Sequence, residues 1–220
     1  MLRYLKYFFY LSYNWDPWIG WHIIRQEIKG EKRYGIRTSG ADELRSLEKK
    51  GIDISHATIY MPVSYDLLEN IFNQLNLSGL THFLDIGCGK GRSLCVAAHH
   101  GMSKVSGIDI SKELCDASSY NLKQTKLKFP SLRYSIINND AFYFGIPADV
   151  DCIFMFNPFD EVIMSGVAAN IRRSLDEHPR NCSIIYVNPL HKEQLTGIGF
   201  KEIWHTKKMN YLEASILVNQ

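Results

Sequence analysis

The stretch HFLDIGCGKGRSLCVAAHH, residues 82–100, decides the fold of this chain. Its first residues, HFLDI, form an apolar run that predicts a buried strand, and the segment 93–100 predicts a helix. Between the two, Gly87, Gly89 and Gly91 alternate with other residues. Glycine allows positive φ angles and close approach to the backbone, so this turn is typical of proteins that hold a nucleotide. A plain strand-to-helix turn without a ligand is the alternative.

The whole chain has the composition of one ordinary globular domain. It has 220 residues, of which 45% are hydrophobic and 22% are charged, and this is enough for a single well-packed core. The formal net charge is only +2, whereas proteins that bind duplex DNA along its phosphates usually carry a larger basic excess. Charge therefore neither favours nor excludes a nucleic-acid partner.

Cysteine spacing and the N-terminal run bear on metal, redox state and location. The five cysteines include no C-x-x-C pair, so we expect no metal site and predict reduced, mostly buried thiols. The run MLRYLKYFFYLSY resembles a signal peptide but is short and rich in tyrosine, and no small-residue cleavage site follows it. We therefore predict a cytoplasmic protein without a spanning segment, with interfacial membrane contact by this run as the weaker alternative.

Strands and helices alternate after the glycine turn. Apolar runs predict further strands at KVSGIDI, LRYSII, DCIFMF and CSIIYV, and helical spacing predicts helices near 63–77, 112–128 and 161–175. This alternation predicts a mostly parallel α/β sheet, doubly wound with helices on both faces.

The end of the chain departs from that alternation. The strand-like runs FKEIWHTKK and YLEASILV are separated by only Met209 and Asn210. Because so short a connection cannot contain a crossover helix, the two strands must pair antiparallel. Such an ending is unusual for a dehydrogenase.

The glycine spacing itself differs from that of a dinucleotide site. Dinucleotide-binding turns carry G-x-G-x-x-G, which aims a helix at a pyrophosphate, whereas this chain has D-x-G-x-G-x-G beginning at Asp85. Asp85 and Lys90 also place a carboxylate and a cation beside the turn. A ligand with a zwitterionic amino-acid end suits such a turn better than a diphosphate.

Two more acids follow the next strands. Asp109 ends the second strand, where a carboxylate can accept hydrogen bonds from ribose hydroxyls, although a dinucleotide-binding enzyme or a simple strand-end cap would also place an acid there. Asp140 and Ala141 follow the third strand, where an acid can accept from an adenine amino group. The alternative for Asp140 is the N-cap of a short helix.

Together, HFLDIGCGKGR, SGIDIS, NNDAF and FNPFD resemble the ordered motifs of class I S-adenosylmethionine-dependent methyltransferases. The resemblance covers about residues 60–218 and implies S-adenosylmethionine as cofactor, lying across the carboxyl ends of the first strands. It also implies a seven-stranded sheet of order 3-2-1-4-5-7-6 whose last strand is antiparallel. By position it assigns cofactor binding to Asp85, Gly87, Gly89, Gly91, Asp109, Asp140 and Ala141.

The segment IYMPVSYDLLENIF resembles, more closely, the segment ahead of the first strand in seven-strand protein-lysine methyltransferases. Val63 departs from that pattern, which has threonine or serine there. The resemblance implies that Tyr60 lies against the methionine end of the cofactor, where an aromatic face favours a sulfonium. A packing tyrosine is the alternative.

FNPFD supplies the candidate catalytic residues, Asn157, Pro158 and Phe159. It resembles the N-P-P-Y/F motif of enzymes that methylate amino groups, in which amide and backbone carbonyls accept hydrogen bonds from the amine. One proline is missing here, which weakens base stacking by the aromatic ring. Asn188 and Pro189 repeat Asn-Pro after the fifth strand, where it is a turn.

We divide the chain into an N-terminal extension or lid, 1–59, and a methyltransferase domain, 60–220. The extension contains Trp15, Trp18 and Trp21, whose rings we expect to cover the open face of the core; stacking on sugars or bases and a membrane interface are alternatives.

The favoured function is methyl transfer to an acceptor amine on a protein side chain. A small molecule or glycan is the first alternative and a nucleic-acid base the second. A catalytically inactive binding module that keeps the cofactor fold is the alternative from a different class.

Overall fold

The computed structural model describes residues 2–14, 17–39, 62–75, 79–156, 159–208 and 212–219. The strands are β1 (Phe83–Ile86), β2 (Lys104–Asp109), β3 (Arg133–Asn138), β4 (Cys152–Phe156), β5 (Ser183–Val187), β6 (Phe200–Lys208) and β7 (Leu212–Asn219). The helices are α1 (Leu2–Asn14), α2 (Pro17–Tyr34), α3 (Tyr65–Gln74), α4 (Arg92–His99), α5 (Lys112–Lys128), α6 (Glu161–Glu177) and α7 (Lys192–Gly197), with a 3₁₀ turn at Ala141–Tyr143.

The strands form one sheet in the order β3-β2-β1-β4-β5-β7-β6. Strands β1 to β5 are parallel, whereas β7 pairs antiparallel with both β5 and β6. The predicted fold class is confirmed, including the antiparallel pair that the two-residue connection requires.

Side-chain caps fix where the helices begin. The Ser111 hydroxyl accepts a hydrogen bond from Leu114 N–H at 3.3 Å and caps α5, and Ser64 does the same for Leu67 at the start of α3. Each cap satisfies one of the N–H groups that a helix start leaves without a partner. The sequence therefore sets the helix starts, and through them the lengths of the turns that follow the strands.

The core has two parts, one on each face of the sheet. Successive side chains of β1 point to opposite faces, so Phe83 joins one cluster and Leu84 the other. The first cluster packs α3, α4 and α5 on the sheet, and the second packs the 3₁₀ turn, α6 and α7. The carboxyl ends of the parallel strands lie between these helix layers, where open α/β sheets bind ligands.

The N-terminal helices pack on the first of these layers. α1 and α2 contact each other through Tyr7 and Ile24, which are buried. At the end of α2, Tyr34 stacks on Tyr65 of α3 with ring centroids 5.5 Å apart. Since both tyrosines belong to the first core cluster, α2 is part of the same packed structure as the sheet.

The tryptophans of α2 do not lie where we expected. Trp18 is 77% exposed and Trp21 is 59% exposed, so the prediction that they cover the open face of the core is wrong. The reason is helical periodicity, because Ile24 and Glu27 occupy the inward side of α2 and the tryptophans fall on the opposite side. Trp15 lies outside the described residues.

All five cysteines are free and buried, as the sequence predicts. Burial raises the pKa of Cys95 to about 12 and raises that of Cys152 well above its ordinary value. These thiols therefore pack as small apolar groups and are poor nucleophiles. Among the helices that the structure describes, none combines the length and the apolar character needed to cross a membrane.

Candidate functional site

The turn between β1 and α4 has the backbone that alternating glycines allow. Gly87, Gly89 and Gly91 have φ angles of 83°, 51° and 75°, in the left-handed region where a Cβ atom is disfavoured. The N–H groups of Gly87 and Cys88 both donate to the Ile108 carbonyl of β2 at 2.9 Å. The glycine turn is thus tied to the neighbouring strand at the carboxyl edge of the sheet.

The turn is also packed too closely for side chains. A Cβ on Gly91 would lie 2.3 Å from Ser118 Oγ of α5. A Cβ on Gly107 of β2 would lie 2.8 Å from Cys88 and Leu94 side-chain atoms. Gly107 is a structural requirement that our sequence interpretation missed, although a glycine inside a strand is a signal of close approach.

Asp109 holds the glycine turn and the next helix together. Its Oδ2 accepts from Gly89 N–H at 2.8 Å, and its Oδ1 accepts from Ser111 N–H at 2.9 Å. Burial raises the pKa of Asp109, and the two backbone N–H groups offset part of that rise. Because a carboxylate oxygen has two lone pairs, these bonds leave acceptor capacity toward a ligand.

Asp85 is the most deeply buried of the three acids, at 4% exposure. Ser93 in the first turn of α4 donates a hydrogen bond to its Oδ2. Burial raises the pKa of Asp85 to about 7, the Ser93 hydroxyl works against that rise, and the nearby Asp109 carboxylate adds to it. Asp85 therefore titrates near neutral pH, which makes it sensitive to a cation placed beside it.

Asp140 caps the 3₁₀ turn that follows β3. Its Oδ1 accepts from Phe142 N–H at 2.9 Å, as the N-cap interpretation predicts. Its own N–H donates to the Asn139 side chain at 2.8 Å, and Ala141 is buried at 7% exposure. The cap fixes the direction of the Asp140 carboxylate and does not exclude a ligand contact.

The sheet order brings the three acids to adjacent strands. Asp85 of β1 is in register with Gly107 of β2, and Asp109 of β2 is in register with Asn138 of β3. Asp140 comes shortly after Asn138. The predicted acids therefore share one edge of the sheet, beside the glycine turn.

A comparison with protein families identifies the domain that contains the glycine turn and the three acids. Residues 83–178 match a family model described as a methyltransferase domain, and these residues contain the glycine turn and all three acids. Residues 83–178 of this chain therefore carry a methyltransferase domain. No curated protein sequence matches it.

Solved structures share the fold of the methyltransferase. PhzM, a pyocyanin biosynthetic protein, is 13% identical with a TM-score of 0.55 over 70% of this chain and 54% of PhzM. A Haemophilus influenzae protein described as a methylase is 18% identical with a TM-score of 0.55, over 70% of this chain and 96% of that one. The glycopeptide N-methyltransferase MtfA, complexed with S-adenosylmethionine, is 12% identical with a TM-score of 0.54, over 70% and 92%. This chain thus spans about half the length of PhzM.

S-adenosylmethionine is the ligand bound in MtfA, and the residues at the sheet edge of this chain suit it. Its ammonium group, ribose hydroxyls and adenine amino group are all donors, and Asp85, Asp109 and Asp140 are acceptors. A diphosphate would instead need several cations, yet of the two cations at the glycine turn Arg92 is 3% exposed and bonded inward, which leaves Lys90. The site therefore favours a ligand rich in donors.

Arg92 joins the glycine turn to the N-terminal extension, which sequence reasoning missed. Its two terminal nitrogens donate to the two carboxylate oxygens of Glu27 in α2, and one of them also donates to the Val63 carbonyl at 2.7 Å. Its Nε donates to Thr38 Oγ1 at 2.8 Å, and its guanidinium lies 4.1 Å from the ring centroid of Tyr65. The position of the Arg92 side chain, at the first residue of α4, is thus set by groups far away in sequence.

A second buried acid supports this connection. Glu31 of α2 accepts from the N–H groups of Thr38 and Ser39, each at 2.7 Å, and from the Tyr4 hydroxyl of α1. Burial alone would raise the pKa of Glu31, but these hydrogen bonds outweigh it and lower the pKa. α1, α2 and the segment after α2 are held together by one ionised carboxylate.

The acceptor side of the methyltransferase is described in part. Tyr60, Asn157 and Pro158 lie outside the described residues. Phe159 is partly buried and packs against the second core cluster. Asp160, whose Oδ1 accepts from Ile163 N–H at 3.1 Å, is the N-cap of α6, so this carboxylate serves the helix.

Proposed function

We propose that the methyltransferase transfers the methyl group of S-adenosylmethionine to an amine on a protein side chain. The observation that carries this proposal is the register between β1 and β4. Ile86, just before the glycine turn, pairs with Met155, and Asn157, Pro158 and Phe159 begin two residues after Met155. This register supports the proposal, because FNPFD follows β4 in the sequence and the end of β4 lies beside the glycine turn.

The acids and glycines hold the cofactor in this proposal. Asp85 balances the ammonium group of the methionine end, which passes along the thin turn of Gly87, Gly89 and Gly91. Asp109 accepts from the ribose hydroxyls. Asp140 accepts from the adenine amino group, with the buried Ala141 backbone beside the ring, and Tyr60 lies against the methionine end.

Asn157 orients the acceptor. When bound, the cofactor supplies an electrophilic methyl group on a sulfonium. The Asn157 amide oxygen and the following backbone carbonyl accept hydrogen bonds from the amine, so that its lone pair points along the transfer axis. Phe159, anchored on the second core cluster, forms a wall that excludes water.

The proposed chemistry does not need a strong base from the protein. Asp160 is engaged as a helix cap, and His191 has Glu193 at 3.8 Å as its charged neighbour. A lysine acceptor loses its proton more readily when a site removes it from water, because desolvation lowers an amine pKa. In-line transfer then depends on position rather than on proton abstraction by a side chain.

We also propose that the extension 1–59 and the domain 60–220 form one folding unit. The support is the bidentate pair between Glu27 and Arg92, both of which are at most 3% exposed. A buried pair of this kind cannot be separated without leaving a charge in an apolar site.

Two measurements test the proposed function. The first is calorimetry with S-adenosylmethionine and with its demethylated product, for which we expect micromolar binding; binding of NAD instead would overturn the cofactor assignment. The second uses a tritiated methyl donor and cell lysate separated into protein, nucleic acid and small molecules. Label in protein that is stable to mild base supports an amine acceptor, whereas label only in nucleic acid or only in small molecules contradicts the protein acceptor.

The chain offers a matched pair of variants for the catalytic step. Asn157→Ala should keep cofactor affinity and lose at least about a hundredfold in transfer rate, an effect typical of losing a positioning group. Asn188→Gly alters the other Asn-Pro, whose asparagine has a φ of 49° that glycine tolerates, and should leave the rate unchanged. Equal rates for both variants would make FNPFD a turn only.

A further inference from the structure

The outward side of α2 combines aromatic and basic side chains. The exposed residues Trp18, Trp21, Arg25, Ile28, Lys29 and Lys32 lie within an arc of about 100° at 3.6 residues per turn. The inward arc of the same helix holds Ile24, Glu27 and Tyr34, which are buried. α2 is therefore amphipathic in an unusual sense, because tryptophan and isoleucine lie on its outward side.

Both acids of α2 point away from that side. Glu27 is 2% exposed and bonded to Arg92, and Glu31 is 5% exposed and bonded to Thr38 and Ser39. The outward side of α2 therefore presents cations and no carboxylate of its own helix. A chain whose net charge is only +2 concentrates positive charge here.

Arg33 is not part of this positive surface. It pairs with Glu69 of α3 at 2.8 Å, and the Glu69 side chain is 28% exposed. The cations that count are Arg25, Lys29 and Lys32, which alternate along α2 with the exposed apolar residues. Charge and apolar area are thus mixed on one surface rather than separated.

α1 adds a second apolar stripe. Leu5, Phe9 and Tyr13 recur every four residues and are 52%, 62% and 91% exposed. The sequence of α1, LRYLKYFFYLSYN, contains no acid. We call the outward residues of both helices the N-terminal surface: Leu5, Phe9, Tyr13, Trp18, Trp21, Arg25, Ile28, Lys29 and Lys32.

We propose that the N-terminal surface binds the headgroup region of an anionic lipid bilayer. Tryptophan and tyrosine rings are favourable where water meets hydrocarbon, and lysine and arginine beside them are attracted to acidic headgroups. Leu5, Phe9 and Ile28 supply aliphatic and aromatic area that the acyl boundary can cover. In this proposal both helices lie in the plane of the interface.

Charge complementarity and apolar area select lipid over other partners. A nucleic acid would neutralise Arg25, Lys29 and Lys32 but would leave Leu5 and Phe9 in water, since its phosphates offer no apolar cover. An acidic protein could satisfy the charges, but it would need an apolar surface of matching shape. A bilayer offers both chemistries without shape matching.

Vesicle flotation with the full chain tests this proposal. We compare vesicles of phosphatidylcholine alone with vesicles that contain about one third phosphatidylserine. The protein should float with the anionic vesicles and remain free with the neutral ones, and added salt should weaken the binding. Tryptophan emission should shift to shorter wavelength on anionic vesicles, because exposed indole rings leave water.

Two double variants separate the two contributions. Trp18→Ser with Trp21→Ser removes the aromatic anchors and should lower the partition coefficient at least about tenfold. Lys29→Gln with Lys32→Gln removes two cations and should lower it roughly thirtyfold. The matched control is Tyr120→Ser with Leu127→Ser, on α5. Tyr120 is 55% exposed and Leu127 is 74% exposed, and this control should partition like the unchanged protein. All variants should bind S-adenosylmethionine as before, which checks that they fold.

Four outcomes would overturn the proposal. The first two are that the unchanged protein fails to float with anionic vesicles, or that it floats equally with anionic and neutral vesicles. The third is that the α5 control variant loses as much binding as the variants of the N-terminal surface. The fourth is that single-stranded DNA, at equal phosphate concentration, releases the protein from anionic vesicles. The last would show that phosphate alone satisfies the surface. Each is independent of methyl transfer, so the lipid proposal and the proposed function can fail separately.

Discussion

Two groups of buried carboxylates differ in where their partners come from. At the sheet edge, Asp85 and Asp109 are bonded to Ser93, Ser111 and Gly89, all close to them along the chain or on the adjacent strand. In α2, Glu27 is bonded to Arg92, 65 residues away. The first group is built by a local motif, whereas the second exists only when distant segments are already packed. Changes in the first group should therefore mainly affect the ligand, and changes in the second should mainly affect the fold.

Arg92→Met is the variant with the largest expected effect on stability. It leaves the Glu27 carboxylate, 2% exposed, buried without its bidentate partner, and the free energy of unfolding should fall by about 3–5 kcal/mol. Urea unfolding measures this change in free energy.

The double variant Glu27→Leu with Arg92→Met should recover much of the loss, since it removes both charges. Arg33→Ala breaks the exposed pair with Glu69 and should cost at most about 1 kcal/mol. If Arg92→Met and Arg33→Ala cost the same, the buried pair has no special role.

Gly91→Ala should destabilise the glycine turn by about 2–4 kcal/mol, since it combines strain at a φ of 75° with a Cβ placed 2.3 Å from Ser118 Oγ. Gly101→Ala is the control, because it has a φ of 99° and no neighbouring atom within 4 Å. It should cost only the strain, about 1–2 kcal/mol. Thermal unfolding with and without S-adenosylmethionine measures both. Only the Gly91 variant should also lose the stabilisation that S-adenosylmethionine provides. If this variant is still stabilised by the cofactor, the glycine turn is not part of the binding site.

Asp109→Ala should weaken cofactor binding by about 1.4–2.8 kcal/mol, which is roughly ten- to a hundredfold in Kd. The loss includes two ribose hydrogen bonds and the two backbone N–H groups that Asp109 holds at 2.8 and 2.9 Å. Calorimetry measures the change. Asp116→Ala, in α5, removes only an exposed pair with Lys112 and should leave Kd unchanged. An unchanged Kd for Asp109→Ala would show that this acid serves the backbone alone.

The smallest expected effect on cofactor binding is a pH dependence at Asp85. Its folded-state pKa is raised from 3.8 to about 7, so the folded protein holds this proton more tightly than the unfolded chain. Its contribution to stability is complete below about pH 4 and falls as pH rises through 7. Cofactor affinity should change in the opposite direction, rising roughly tenfold between pH 5.5 and 7 as the carboxylate ionises beside the ammonium group. Calorimetry across this range measures it.

Asp85→Asn is the control for that pH profile. It should bind S-adenosylmethionine weakly, with an affinity that does not change between pH 5.5 and 7. It should also remove the fall in stability with rising pH, because asparagine does not titrate. A slope that persists in Asp85→Asn would assign the titration to another group.

The residues at the carboxyl edge of the sheet could be predicted from the sequence. Their hydrogen-bond partners are close to them along the chain or are brought close by the strand order. Hydrophobic runs located the strands, the two residues between the last strands fixed their antiparallel pairing, and the acids at positions 85, 109 and 140 fell at the carboxyl edge. The cap at Asp140, first considered as an alternative to a ligand contact, is present, and the proposed ligand contact would use the same carboxylate.

The N-terminal helices could not be predicted in the same way. The spacing of Trp18 and Trp21 shows that they share a helix side but not whether that side faces the protein. Burial of Glu27 and Glu31 decided this, and their burial depends on Arg92 and Tyr4, which only the folded chain brings near. A buried charge has no local sequence pattern, because its partner can lie anywhere along the chain.

The pair between Glu27 and Arg92 also limits how the protein can be shortened. The family match begins at residue 83, which suggests a minimal catalytic fragment without the first helices. Such a fragment would keep Arg92 at the start of α4 and lose the carboxylate that neutralises it. A fragment trimmed to the matched region should therefore expose the Arg92 cation together with the apolar surface that α3 covers in the full chain, and so aggregate unless Arg92 is replaced by an apolar residue.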